Sequence, residues 1–291
     1  MTVADKPEPT EKFELHLNIS GNDLTAIDYL TEKTNFSRNN IKQIMHKGAV
    51  WLTQNQSTRR IRRASNKLKA GEILHLYYDA HILSQSHFDA KLIADEKDYS
   101  VWYKPSGMMS QGSKYGDHCA IYRWAETHLQ PQRNAFLVHR LDKATSGLIL
   151  IAHSKNAARQ LSQLFSEHQI HKYYKAMVHG IAQAPQTIDK PLADKQAITK
   201  ILALQENFHD RYSLLDIQIL TGRKHQIRQH LATIGHPIVG DRLYGDRANE
   251  AEQQYDLGLT AYKITFLSPF DHQKKHYELG NEFYPSFPAS K

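Results

Sequence analysis

The chain holds one cysteine, Cys119, in 291 residues, so no disulfide within the chain can brace the fold, and stability must come from packing. Long apolar runs are missing as well. The longest aliphatic stretch, GLILIA at 147–152, is far below the roughly 20 residues that a membrane-spanning helix requires. The opening MTVADKPEPTEK carries no apolar signal-peptide core. A cytoplasmic chain without a membrane partner is the expectation. Eighteen histidines invite a metal reading, yet neither HExxH nor a Cys/His cluster of zinc spacing occurs, so no metal is expected. The lack of a Walker-type glycine-rich loop argues against ATP use. No segment repeats at a fixed period, and the only biased tract is the Pro- and Lys-containing tail, expected to be mobile over residues 1–14.

Acidic residues are also missing locally. Between Lys33 and Gly71 there are ten Lys or Arg and no Asp or Glu, a sharper asymmetry than the whole-chain charge of +7. Such a surface suits a polyanion. Ser37 is a suitable N-cap, Ile41, Ile44 and Met45 follow at helical spacing, and Gly48 suits the stop, so a short helix is predicted over 38–47. Arg38, Lys42 and His46 fall at i, i+4 and i+8, on a stripe largely separate from the buried positions. AVWLT then reads as a strand, STRRIRRASNKLK as a basic hairpin region with Arg59, Arg60, Arg62 and Arg63, and GEILHLYY as a closing strand. With 40% hydrophobic residues the chain can bury a sizeable core, and its length suits two unequal domains. The expected division is the tail, a small module over 15–80, an aperiodic linker over 81–91, and a larger domain over 92–291.

Residues 23 to 78 resemble the small RNA-binding module named after the fourth protein of the small ribosomal subunit. LTAIDYL stands as its first helix, SRNNIKQIMHKGAVWL as its helix-to-strand passage, and LKAGEIL as the lead into its last strand. Ile27 departs from the Leu common in that leading helix, and the hairpin is richer in arginine. The resemblance implies that Arg38, Lys42, Arg59, Arg60, Arg62 and Arg63 meet RNA.

In the larger domain, VHRLDKATSGLILIAHS at 138–154 sets one carboxylate, Asp142, between an arginine and an apolar run. AFLV reads as the strand entering and LILIA as the strand leaving, with a Thr145-Ser146-Gly147 turn between them, so Asp142 is expected at the end of a sheet edge. Ser154 can cap a helix that buries Ala157, Ala158, Leu161, Leu164 and Phe165. KYYKAMVHG follows as a strand with Tyr174, Ala176 and Val178 on one face and Tyr173, Lys175 and Met177 on the other. A strand from Ser213, a turn at Thr221-Gly222 and a helix from His225 to Ile234 complete the pattern. Arg228 falls on the shoulder of that helix's Ile227, Leu231 and Ile234 stripe, where a carboxylate partner would satisfy it.

From about Leu92 to Phe270 these stretches resemble the RluA family of pseudouridine synthases. The family's H-R-L-D-x-x-T-S-G stands as residues 139–147, its K-x-Y-x-A-x-V-x-G as Lys172, Tyr174, Ala176, Val178 and Gly180, and its T-G-R-x-H-Q-I-R as residues 221–228. YKPSGMM resembles the family's first motif, although Gln111 stands where a His often follows. The resemblance implies isomerisation of a uridine in RNA: the base leaves its ribose, turns, and rejoins through carbon five. No group arrives from outside, so no cofactor is required. Asp142 becomes the carboxylate acting at the sugar, Arg140 fills the gap left by an extruded base, Tyr174 packs on that base, and Arg228 pairs with Asp142. Arg223, within the third motif, joins the RNA contacts.

The resemblance also implies an α+β fold: a small α/β module, then a domain with a mixed, mainly antiparallel sheet flanked by helices and crossed by the active cleft. Ribosomal RNA is the favoured partner, with transfer RNA as the alternative, and a monomer is expected. A glycoside hydrolase, which also acts at an anomeric carbon, would need two carboxylates; the motif supplies one carboxylate and an arginine. A catalytically inactive RNA-binding or assembly protein of the same fold is the other rival, against which intact Asp142, Tyr174 and Arg228 stand.

Overall fold

The computed structural model describes residues 12–22, 24–85, 89–208, 211–245 and 255–286, with the backbone alone described at 205–208. Contacts divide the chain into two units, Met1–His87 with Gln111–Trp124, and Phe88–Ser110 with Ala125–Lys291.

In the first unit, the strands β1 (Lys12–Asn18), β2 (Val50–Gln54), β3 (Ser57–Arg60) and β4 (Ile73–Asp79) make an antiparallel sheet in the order β1-β4-β2-β3. Alternation drives it: Leu52, Leu74 and Leu76 are sealed from solvent while their neighbours along each strand are more open. Helices α1 (Ala26–Lys33) and α2 (Arg38–His46) contribute Leu30, Ile41 and Met45 to the same core. Each such side chain adds about 1.5–3 kcal/mol through burial. The Ser37 cap forms as expected, its Oγ accepting from the Asn40 N–H at 3.2 Å.

Three boundaries differ from the sequence reading, the first being that Gln111–Trp124, expected within the larger domain over 92–291, cluster with the first unit. Residues 12–14, assigned there to the tail, pair with β4 in β1, and the tail before residue 12 lies outside the described residues. Within the expected linker, Asp79 caps a short helix α3 (Ala80–Ser84), accepting from the Ile82 N–H at 3.0 Å. A helix of five residues is too short to display a period. Residues 86–88 of that linker are outside the described residues.

The second unit is built on a ten-stranded sheet. Its strands are β5 (Lys91–Asp95), β6 (Tyr99–Lys104), β7 (Phe136–Leu137), β8 (Ser146–Ala152), β9 (His171–His179), β10 (Gln186–Asp189), β11 (Ile198–Phe208), β12 (Tyr212–Ile219), β13 (Leu259–Leu267) and β14 (Lys274–Glu278). The main path runs β10-β11-β12-β9-β13-β8-β6-β5, with β14 on β13 and β7 on β8. Every pairing is antiparallel except β13 with β8, so the sheet is mixed and mainly antiparallel, as expected.

The parallel contact explains a residue of the motif. Gly147 lies opposite Ala261 at φ +120°, and a Cβ there would sit 2.3 Å from the Ala261 carbonyl oxygen. Ser146 and Gly147 therefore belong to β8 rather than to a turn, because a bare backbone lets β8 close on β13. With β6 and β13 on its two sides, β8 is also an interior strand, which corrects the expected sheet edge at Asp142.

Ser154 caps helix α5 (Lys155–Ser166), accepting from the Ala157 N–H at 3.0 Å, and the helix buries Ala157 and Leu161. Helix α4 (Ile121–His128) precedes β7. Helix α6 (Gln226–Thr233) buries Ile227 and Leu231 in the core that also takes Tyr174, Ala176 and Val178 from β9.

Candidate active site

Residues 139–145 form the loop between β7 and β8, and its backbone is held almost atom by atom. The Ser110 hydroxyl donates to the Leu141 carbonyl at 2.7 Å and accepts from the Leu141 N–H at 3.0 Å. Ser106 Oγ donates to the Ala144 carbonyl at 3.0 Å, and the Gly107 N–H donates to the Lys143 carbonyl at 2.9 Å. The YKPSGMM stretch thus grips the loop that presents Asp142. His139 is half-buried against the Phe165 ring and accepts from the Leu150 N–H at 2.9 Å. Burial, helped by Lys172, pushes its pKa down to about 3, so it stays neutral and keeps that acceptor.

The Asp142 carboxylate is not used to hold the loop. Its side chain is 32% exposed and faces a pocket of about 100 Å³ lined also by Arg140, Lys172, Tyr174, Arg223 and Arg228. A second cavity of about 380 Å³, with Ser106, Lys143 and Leu257 in its wall, opens on Asp142, His225 and Arg228 as well. The motifs far apart in sequence meet here as expected: Asp142 from the loop, Tyr174 from β9, Arg228 from α6. Arg140 lies exposed at the pocket, and Arg223 lines it with Nε donating to the Gln196 carbonyl at 2.9 Å.

One partnership is corrected. Arg228 does not form a direct pair with Asp142; its Nε and Nη2 donate to the two oxygens of Asp241 at 2.7 and 2.6 Å. Both side chains are almost fully buried, 6% and 0% exposed. A planar guanidinium matches a carboxylate in this two-point fork, which fixes Arg228 in direction. Asp241 Oδ1 also accepts from the Leu243 and Tyr244 N–H groups at 2.9 and 3.1 Å. Burial raises the pKa of Asp241, but the Arg228 pair and these N–H groups outweigh it and hold the carboxyl below its usual range.

Facing Asp142 instead is His225, Nε2 to Oδ1 at 3.8 Å. It occupies the left-handed region, φ 54° and ψ 27°, just before α6, and its Nδ1 lies 3.0 Å from the Tyr244 hydroxyl. Burial lowers its pKa despite Asp142, with Arg228 and Lys224 adding to the depression, so the ring is held toward its neutral form.

The charge of Asp142 is felt across the site. After burial, it is the cause that raises the Tyr174 pKa above the ordinary phenol value. Lys104, sealed from solvent, donates from Nζ to the carbonyls of Met108, Pro105 and Lys143 at 2.9, 3.1 and 3.3 Å. Burial pushes its pKa down to about 7, and Asp142 opposes the shift. Lys104, Lys172, His225 and Asp241 received no role from the sequence. Lys104, Lys172 and His225 stand inside quoted motifs, Lys104 in YKPSGMM, but no periodic pattern marks Lys104 as buried. Among the described residues no group of three or more His, Cys, Asp or Glu is placed to hold a metal ion.

In the first unit the basic span divides. Lys42, His46, Lys47, Arg62 and Arg63 line a groove of about 630 Å³ between α2 and the chain after β3. Arg38 stays exposed and pairs with Asp28. Arg59 points to solvent from β3. Arg60 corrects the expectation that all four hairpin arginines face RNA: its Nη1 donates to Asp117 at 2.5 Å and its guanidinium stacks 4.3 Å from the Trp51 ring centre. Arg62 shares Asp117, also at 2.5 Å. Asp117 is 1% exposed in its side chain, and a carboxylate buried so deeply requires opposite charge. Gly48, at φ +86°, leaves room for this cluster, since a Cβ would fall 2.4 Å from Asp117 Oδ1.

Residues 98–233 match the family described as RNA pseudouridylate synthase. An uncharacterized RNA pseudouridine synthase of Aquifex aeolicus is 31% identical over 264 residues, covering 80% of this chain and 82% of its own. A tRNA pseudouridine synthase C of Yersinia pestis is 33% identical over 178 residues, covering 52% and 69%. The solved structure of human RNA pseudouridylate synthase domain containing 1 superposes at a TM-score of 0.58 with 22% identity, over 69% of this chain and 88% of that one, and so shares the fold.

Proposed function

The chain belongs to the RNA pseudouridine synthases, and from that premise we propose that Asp142 is the carboxylate that acts at the ribose of a uridine turned out of its RNA. The observation that carries this is the single pocket where Asp142, Tyr174, Arg140 and Arg228 meet. A base inside a stacked helix is out of reach, and extruding it costs a few kcal/mol. Arg140, exposed beside Asp142, fills the vacated place or stacks there. Tyr174 packs on the uracil, its hydroxyl kept protonated by burial and by Asp142. Arg228, held by Asp241, adds positive potential near Asp142 without spending its hydrogen bonds on it.

If the ring is what matters, Tyr174→Phe costs little, whereas Tyr174→Ala costs about 1–3 kcal/mol, as expected for a missing base stack. Single-turnover rates with the two variants check this; the opposite order would assign the role to the hydroxyl.

The first unit is read as the ribosomal-protein-like RNA module, with the groove of Lys42, Lys47 and Arg63 following phosphates. A grip of this kind suits a large folded target, which favours ribosomal RNA. Transfer RNA is the second reading, favoured by relatives named for it. Incubation with unmodified ribosomal and transfer RNA, followed by mapping of pseudouridine, tests the function and separates the two. Converting Lys42 and Arg63 together to Gln should lower the slope of log affinity against log salt by about 0.7–0.9 for each phosphate that is no longer neutralised. A slope equal to the unaltered protein's would remove the groove from the RNA interface.

A further inference from the structure

Lys172 places a cationic side chain in the pocket that holds Asp142. It lies two positions before Tyr174 on β9, on the same face of that strand, and lines the pocket with Asp142. Its Nζ sits beside Gly222, where a Cβ would be 3.6 Å away, and 5.8 Å from the Phe165 ring centre. Among the described residues no carboxylate pairs with it. Asp142 acts on Tyr174, Lys104, His225 and Arg228, yet burial alone lowers the Lys172 pKa and no negative group restores it. A half-buried ammonium without a partner is costly unless an anion arrives to meet it.

The reaction makes such an anion. When the bond between C1′ and N1 breaks, its electron pair leaves with the base, so uracil departs with one negative charge spread over N1 and its carbonyl oxygens. The sugar is compensated by the Asp142 carboxylate, either as a covalent partner or as acceptor of the C2′ proton. When C5 attacks C1′, the pair of the Asp142–C1′ bond returns to the carboxylate, or the proton held by Asp142 returns to C2′; C5 gives up its proton, N1 gains one, and the sum is an isomerisation. We propose that Lys172 is a further catalytic residue, holding the charge of the detached uracil while the base turns. The assignment rests on the reading of Asp142 as the group acting at the sugar. A donor aimed at charge that develops only during reaction acts on the rate and not on binding.

The test compares RNA containing the target uridine with the same RNA containing 5-fluorouridine at that position. Fluorine makes the departing base less basic, so it depends less on Lys172; because fluorine cannot leave C5 as a proton does, disappearance of the original nucleoside is followed. Lys172→Met should slow single turnover on uridine by about 100-fold or more while changing Kd for RNA less than about threefold. On the fluorinated RNA the loss should shrink to about tenfold or less. Lys172→Arg, which keeps the charge, should restore most of the rate, and Lys172→Gln gives the same comparison if the Met variant does not fold. Equal losses on both RNAs, or a loss confined to Kd, would overturn the proposal. Asp142→Asn run alongside should be inactive on both RNAs; turnover by that variant overturns the parent reading, whereas equal Lys172 losses with inactive Asp142→Asn overturn this one alone.

Discussion

Asp142→Asn should leave less than about one per cent of the single-turnover rate and change RNA affinity by less than about 1 kcal/mol. The expectation follows from what the carboxylate does not do. The backbone of its loop is held through the carbonyls of Leu141, Lys143 and Ala144 by Ser110, Gly107, Lys104 and Ser106. The side chain faces the pocket, with the His225 ring 3.8 Å from it. An amide of the same shape therefore leaves the loop in place and removes only the charge. In the proposed role that charge is what the reaction needs, because bond cleavage leaves C1′ short of an electron pair. Measuring pseudouridine after a single turnover, with RNA binding in parallel, checks both halves. Turnover above one per cent would move the chemistry to another group; weakened binding would mean that Asp142 holds RNA.

Periodic features were legible in the sequence and tertiary partnerships were not. Ser37 and Ser154 as caps and the buried stripe Ile41, Ile44 and Met45 follow from local spacing and stand in the structure, and the Tyr174, Ala176 and Val178 face of β9 packs into one core as its spacing predicts, although Lys175 and Met177 on the other face are buried too. The meeting of Asp142, Tyr174 and Arg228 was legible for a different reason: three motifs in a fixed order resemble one family, and the sheet order brings β8 and β9 to either side of β13. What failed was the choice of partner. The resemblance pairs Arg228 with Asp142, but a bidentate fork goes to the acid whose backbone turn already points at it, and Asp241 stands thirteen positions on in a turn with no period. Charge and resemblance both send Arg60 to RNA, and buried Asp117 in a remote stretch claims it. Lys104 stands inside the YKPSGMM motif, yet its surroundings are not legible there. Its partners are carbonyl oxygens, which every residue carries, so nothing in the sequence marks their convergence on one ammonium.

Asp241→Asn should produce the other large effect, a loss of about 3–5 kcal/mol in stability, because removing one partner leaves the other charge buried and unpaired. Surface ion pairs are worth far less, but here the two side chains are only 6% and 0% exposed. The amide keeps the shape, yet it offers one acceptor oxygen where Arg228, Leu243 and Tyr244 together need two. Loosening the turn also frees Tyr244, the hydrogen-bond partner of His225, so the rate should fall even where the variant remains folded. Urea unfolding of the variant and of an Arg228→Met, Asp241→Leu pair makes the test. The double change removes both charges at once and should cost less than Asp241→Asn alone. The pH dependence has a definite sign. The folded pKa of Asp241 is depressed, so the pair's contribution is full above the unfolded carboxyl value of about 4 and disappears as pH falls through the lower folded value. Asp241→Asn should remove that part of the acid loss of stability. An acid limb identical to that of the unaltered protein, or a double change as damaging as the single one, would show that the fork contributes shape and not charge pairing.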